Sequence, residues 1–273
     1  MSAAIALSRA LGPLRDPVAD AAGLVAYAVD PSRRRRTARN HHRLDRLIGE
    51  REARRRSRAS YRSYARFITD FLWACGLDES TVLANSVVIG IEHVDAARTP
   101  GGILVLTHFG NWDMAANIAC AHRVALSTVM APIGPPAVTE MVAWARRRNQ
   151  LDVFTAERAA LGLVRALRRG RFVALLCDIP GAGPQTVVDF CGGPVIFSTV
   201  SARLAMQTGA HLLPAECRRG GDGEPPYVAT VHPPVALAGL NENEVMQSVA
   251  DALEPGVRAR PEQWYPFGAV YTD

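Results

Sequence analysis

The stretch that most constrains this chain is GILVLTHFGNWD, residues 102–113, where an apolar run passes through a glycine into a helix-forming segment. Gly102-Ile103-Leu104-Val105-Leu106 is short and continuous and follows Pro100-Gly101, the pattern of a strand buried on both faces. From Asn111 onward, Trp112-Asp113-Met114-Ala115-Ala116-Asn117-Ile118-Ala119 favours helix, and Asn111 suits its N-cap. His108 then sits at a strand exit and Asp113 in the first turn of the next helix. On one continuous helix a five-residue step would set the two side chains about 140° apart, whereas a turn through Gly110 can bring them together. The pair has an obvious chemical use. An imidazole accepts a proton from an attacking hydroxyl only in the right tautomer, and a carboxylate on its other nitrogen fixes that tautomer. With no protein nucleophile beside it, such a dyad suits direct transfer to a substrate hydroxyl or amine. A histidine followed by an acid is also common without function, so spacing alone does not decide.

The same grammar recurs downstream. Residues 156–169 read as an amphipathic helix ended by Gly170, and Arg171-Phe172-Val173-Ala174-Leu175-Leu176-Cys177-Asp178 reads as a buried strand with an acid at its carboxyl end. Functional groups in open α/β sheets gather at the carboxyl ends of parallel strands, so Asp178 and His108 can share a cleft. Between the two units, residues 81–94 suggest a short helix and a strand ending near Gly90, and 125–130 another strand. The proline-rich 131–136 is loop, and 137–148 is helix ending in Arg146-Arg147-Arg148. Those arginines either offset the helix dipole or form an anion site. Further on, 199–208 is a helix closed by Gly209, His211 opens an apolar strand, and 220–226 is a hairpin-like loop. Residues 227–231 suggest an antiparallel edge strand, and 242–253 a last helix.

Charge divides the chain. Residues 33–66 hold 14 arginines against Asp45, Glu50 and Glu52, a local +11, so with +5 overall the remainder sums to −6. The segment 32–77 reads as one basic amphipathic helical region, which suggests residues 1–77 as an Arg-rich helical part and 78–273 as an α/β core of one continuous domain. Such a helix is a solvated face, a nucleic-acid arm or an adhesion surface for anionic lipid; no nucleic-acid motif accompanies it. No run approaches the length of a membrane span, and no signal peptide is read. Five scattered cysteines without a C-x-x-C pair imply reduced thiols, no disulfide framework and no structural zinc. A cytoplasmic protein is the expectation.

His108-Phe109-Gly110-Asn111-Trp112-Asp113 resembles the H-x-x-x-x-D/E motif of the lysophospholipid acyltransferase superfamily. It is most similar to the branch of bacterial lipid A biosynthesis acyltransferases and mycobacterial phosphatidylinositol mannoside acyltransferases, the terminal Asp matching the latter. Weaker similarities follow in order: Asp178, Val187-Val188-Asp189-Phe190-Cys191-Gly192, the Thr208-Gly209-Ala210 turn and Pro261-Glu262-Gln263-Trp264-Tyr265. The resemblance implies a central mostly parallel sheet flanked by helices, and transfer of a fatty acyl group from acyl-CoA or acyl-carrier protein to a hydroxyl of a membrane glycolipid or phospholipid. On that basis His108 is the general base, Asp113 orients it, and Asn111 or backbone amides at the helix start stabilise the oxyanion. Asp178, Arg146 and Arg147 are candidates to meet substrate. No metal or bound cofactor is expected. Arg33, Arg34, Arg35, Arg36, Arg54, Arg55 and Arg56 are expected to meet an anionic membrane at the inner face of the cell membrane. Two departures keep alternatives open. Met130-Ala131-Pro132 stands where the mannoside enzymes carry a Glu-Arg pair and the lipid A enzymes commonly a Tyr-Arg, and Asp178-Ile179-Pro180 lacks their Gln or Arg neighbour. An enzyme recruited to a soluble acceptor, such as a secondary metabolite or carrier-tethered intermediate, or a non-catalytic binding relative, fits those departures.

Overall fold

A computed structural model describes residues 2–155, 159–179, 181, 183–268 and 270–272. Four helices come first: α1 (Ser2–Ala10), α2 (Arg15–Val29), α3 (Pro31–Leu44) and α4 (Glu50–Ala74). The single basic helical region expected over 32–77 is therefore two helices. Asp30 caps α3 by accepting from the Arg33 amide, while Asp45 turns extended and its carboxylate accepts from the Leu47 amide, which ends the helix. Gly49 then opens α4. Helix α2 lies directly on α4, where a Cβ on Gly23 would come within 2.6 Å of the Tyr61 carbonyl oxygen.

The chain continues through α5 (Glu79–Ala84), β1 (Ser86–Ile89), α6 (Ile91–Ala96), β2 (Gly102–Leu106), α7 (Trp112–Ala121), β3 (Leu126–Met130), α8 (Pro136–Arg148) and β4 (Asp152–Thr155). After it come α9 (Ala159–Arg168), β5 (Phe172–Leu176), β6 (Gln185–Phe190), β7 (Gly193–Ser198), α10 (Val200–Thr208), β8 (His211–Arg219), β9 (Tyr227–Val231) and α11 (Glu242–Ala259). The first residues of the helix expected over 156–169 lie outside the described residues, as do Pro180 and Ala182 beyond Asp178.

Seven strands form one sheet in the order β1-β9-β8-β2-β5-β3-β4, parallel throughout except for the β8–β9 pair, and β6–β7 form a separate antiparallel hairpin. All five residues of β2 are buried. Its alternate side chains serve two layers: Ile103 and Val105 pack with α9, α10 and α11, and Leu104 and Leu106 pack with α7. This is the arrangement expected of a both-faces-buried strand.

Several elements differ from the sequence reading. β9 is not an edge strand, because β1 pairs with it on its free side. β4 and the β6–β7 hairpin were not anticipated. The hairpin turns through Cys191 and Gly192, both at positive φ, and Gly192 lies so close to α3 that a Cβ would meet the Arg43 carbonyl oxygen at 2.4 Å. α11 runs on to Ala259 through Pro255. Among the described residues, no helix is long and apolar enough to cross a membrane.

The helical part and the sheet are joined by charge as well as packing. Asp70 of α4 is fully buried between Arg15 at 3.4 Å and Arg219 of β8 at 3.5 Å. Burial dominates and pushes its carboxyl up despite the two guanidiniums.

Candidate active site

The parallel pairing of β2 with β5 sets Leu106 opposite Leu176. Two residues further along each strand come His108 and Asp178, so the sheet register itself places them side by side. The His108 amide donates to both Asp178 carboxylate oxygens, at 2.9 and 3.0 Å, and His108 Nδ1 lies 2.7 Å from Oδ1. A carboxylate only accepts, so Nδ1 carries the proton and Nε2 is the basic nitrogen. The Asp178 side chain is 8% exposed and that of His108 24%, so the acid is shielded while the imidazole still reaches solvent.

Among the described residues no hydrogen bond joins Asp113, expected to orient His108, to the imidazole. The Asp113 carboxylate is held by Arg146, whose Nε donates to Oδ1 at 2.7 Å and whose Nη2 donates to Oδ2 at 3.1 Å, with both side chains about nine-tenths buried. The strand-to-helix turn carries Asp113 onto the α8 side, away from the end of β5 where the imidazole is met. The guanidinium fork of Arg146 is thereby engaged by Asp113. Arg147 is exposed on the last turn of α8 and bonds none of these residues.

Gly110 makes the turn. Its φ is +63°, and a Cβ would lie 2.0 Å from the Cys217 carbonyl oxygen at the end of β8. The Gly110 amide donates to the Gln263 carbonyl, the Asn111 amide to the Cys217 carbonyl, and the Tyr265 hydroxyl to the Gly110 carbonyl. Asn111 is the N-cap, accepting from the Met114 amide at 2.8 Å; its buried Nδ2 has no partner among the described residues. Trp112 and Asp113 are the first two residues of α7, where backbone amides have no carbonyl within their own helix. They present the positive end of the helix dipole beside His108.

An aromatic wall completes one side. The Trp112 ring meets His108 edge-on with centroids 5.0 Å apart, Phe67 of α4 lies 4.2 Å from Trp112, and Tyr265 6.1 Å from it. Burial pushes the Tyr265 phenol well up, so it is a neutral donor. Phe67 belongs to the amphipathic pattern of 32–77 and Tyr265 to the Pro261-Glu262-Gln263-Trp264-Tyr265 segment, and neither pattern by itself marks a site residue. On the other side of Trp112, a narrow apolar cavity of about 60 Å³ opens between the sheet and α7, walled by Leu104, Leu106, Ala116, Ala119 and Leu126. His211 lies away from this site, at the amino end of β8 opposite Gly102.

The remaining nominated arginines are not equivalent. Arg54, Arg55 and Arg56 pair with Glu50, Glu52 and Asp45, Arg33 with Asp30, and Arg34 lies over the Tyr27 ring at 5.4 Å. Arg35 and Arg36 are exposed without an acidic partner among the described residues. Among those residues, no three His, Cys, Asp or Glu side chains are grouped to hold a metal ion.

Compared with known proteins, the sequence matches the family described as bacterial lipid A biosynthesis acyltransferase over residues 3–268. The phosphatidylinositol mannoside acyltransferase of Mycobacterium tuberculosis (strain CDC 1551 / Oshkosh) is 29% identical over 187 residues, covering 66% of this chain and 58% of that protein. That of Mycolicibacterium smegmatis is 28% identical over 218 residues, covering 76% and 69%. The match thus spans less than two thirds of the Mycobacterium tuberculosis relative's length. The crystal structure of the 1-acyl-sn-glycerophosphate acyltransferase PlsC from Thermotoga maritima aligns over 90% of this chain and 97% of that one, with a TM-score of 0.44 and 16% identity.

Proposed function

The chain belongs to the bacterial lipid A biosynthesis acyltransferase family, and from that premise we propose that it moves a fatty acyl group from acyl-CoA or acyl-carrier protein to a hydroxyl of a membrane glycolipid or phospholipid. The observation that carries this reading is the Asp178–His108 pair at adjoining strand ends, with Nε2 left as the base. His108 Nε2 takes the acceptor hydroxyl proton as the oxygen attacks the thioester carbonyl. The tetrahedral oxyanion faces the Trp112 and Asp113 amides at the start of α7, with the unbonded Asn111 Nδ2 beside them. Collapse breaks the carbon–sulfur bond, and the imidazolium returns its proton to the leaving thiolate. Asp178 stabilises the imidazolium throughout. The apolar cavity beside Trp112 suits part of the acyl chain, and the donor is a co-substrate rather than a bound cofactor.

An acceptor in the bilayer calls for peripheral attachment, at the inner face of the cell membrane, through the exposed Arg35 and Arg36 of α3 to anionic lipid. The test is thiol release from palmitoyl-CoA, with a membrane lipid extract as acceptor, by the wild type and by His108→Ala. The expected result is release that needs the extract and falls about 10³-fold in the variant, with the acylated product identified by mass spectrometry. Equal release by both proteins, with acyl-carrier protein also tried as donor, would sink the assignment.

A further inference from the structure

Residues 263–265 run antiparallel to the turn that follows His108. Phe109 and Trp264 form an antiparallel bridge, and the Gly110 amide donates to the Gln263 carbonyl at 2.8 Å. The Tyr265 hydroxyl donates to the Gly110 carbonyl at 3.1 Å. Both polar groups of the turn's glycine are thus bonded from one short segment. That segment is itself anchored at the end of β8, where the Gln263 side chain accepts from the Arg219 amide at 2.8 Å and donates to the Arg219 carbonyl at 3.0 Å, as a strand neighbour would.

Hydrogen bonds decide the conformation of this turn. Gly110 sits at φ +63°, and a glycine adopts either sign of φ about as readily. The peptide it shares with Asn111 is pinned at both ends, its carbonyl by Tyr265 and its amide by the Cys217 carbonyl at 2.6 Å. The next two amides are those of Trp112 and Asp113, so tilting the pinned peptide tilts them as well. The phenol is held firmly enough to set that tilt. Its ring stacks on Phe267, with centroids 6.1 Å apart and planes 12° apart, and meets Tyr64 edge-on at 5.1 Å. Its one proton goes to the Gly110 carbonyl, so at the 3.3 Å contact with Ser63 of α4 the serine donates and the phenol oxygen accepts.

We propose that Tyr265 is a positioning residue for acyl transfer: its hydroxyl holds the Gly110–Asn111 peptide in the orientation that aims the Trp112 and Asp113 amides at the oxyanion. The inference rests on the acyl-transfer reading of the His108 site. Tyr265 acts through the turn, because its hydroxyl bonds the Gly110 carbonyl and not the imidazole or the Asp178 carboxylate. Removing an oxyanion donor outright costs about 10²–10³-fold in kcat, and a misaimed donor costs less, on the order of tenfold.

The test compares Tyr265→Phe with Tyr271→Phe in the full chain. Tyr271 is a matched control, because its hydroxyl also donates to a backbone carbonyl, that of Cys191 in the β6–β7 hairpin. Each variant leaves a carbonyl without its phenol and should melt a few degrees below the wild type. Tyr265→Phe alone should lower kcat for thiol release from palmitoyl-CoA about tenfold with KM changed less than about twofold, because the lost alignment matters as charge develops on the oxygen. It alone should also speed hydrogen–deuterium exchange of the Gly110 and Asn111 amides about tenfold relative to the amides of β5. The proposal is overturned if the two variants share one kcat, or if exchange at Gly110 and Asn111 does not change. A wild type that releases no thiol from any donor overturns the acyl-transfer reading and the catalytic consequence with it, while the exchange comparison decides separately whether Tyr265 holds the turn.

Discussion

Two aspartates lie beside the turn that ends β2, and each takes a different partner. Asp178 accepts from the backbone and ring of His108, whereas Asp113, five residues from that histidine in sequence, accepts the bidentate fork of Arg146 from α8. Asp178 meets an imidazole that solvent can reach, so its charge is available to a proton transfer. Asp113 meets a permanent cation in the interior, so its charge is spent on joining α7 to α8. What decides the partners is not distance along the chain. The β2–β5 register sets residue 108 against residue 178, while the first turn of α7 swings Asp113 onto α8.

The sharpest way to break this division is to neutralise each acid in turn. Asp178→Asn should lower thiol release by about 10³-fold, because the amide no longer selects the tautomer with Nε2 free, and should leave the melting temperature nearly unchanged. Asp113→Asn should do the reverse. Removing one partner of a buried pair costs about 3–5 kcal/mol, which denaturant unfolding would register, while activity at permissive temperature should fall less than about tenfold. Comparable activity losses in the two variants would return Asp113 to the catalytic role its spacing suggests. A smaller effect refines the point: Asp113→Leu/Arg146→Met should recover most of the stability lost by Asp113→Asn, since a buried ion pair replaced by apolar side chains of similar volume is often neutral. If the double variant is no better than the single, the pair contributes more than mutual neutralisation.

The same contrast shows what the sequence makes legible. β2, β5 and the α10–Gly209 junction can be read because apolar runs, glycine caps and helix formers are local signals. His108, Asn111 and Asp178 can be nominated because their types and places at element ends suit the chemistry. Pairing His108 with Asp178 requires the register of two strands 70 residues apart, and pairing Asp113 with Arg146 requires the packing of α7 on α8. Neither leaves a local pattern. Phe67 and Tyr265 reach the site from α4 and from the closing segment, so only the tertiary fold brings them there. β4 is four residues long with a polar residue at each end, too short for periodicity to declare it.

A third carboxylate supplies the mildest test, because among the described residues it has neither an imidazole nor a guanidinium bonded to it. Glu216 of β8 lies against α11, where a Cβ on Gly256 would come within 2.1 Å of its Oε2. Burial pushes its carboxyl up to about 7, with Arg218 only partly opposing. The folded state therefore keeps a proton that the unfolded chain releases near pH 4.5, so this group's contribution favours folding at low pH and is lost as pH rises from about 4.5 through 7. His41 acts in the opposite sense, since burial holds its imidazole down to about 3, but it is common to both proteins in a comparison and cancels. Glu216→Gln is neutral at every pH. It should match the wild type near pH 4 and exceed it by on the order of 3 kcal/mol near pH 8, at about 1.4 kcal/mol per pKa unit, in denaturant titrations across that range. A constant difference between the two proteins would mean that Glu216 is ionised throughout, and that burial without a cation does not set the state of an acid in this fold.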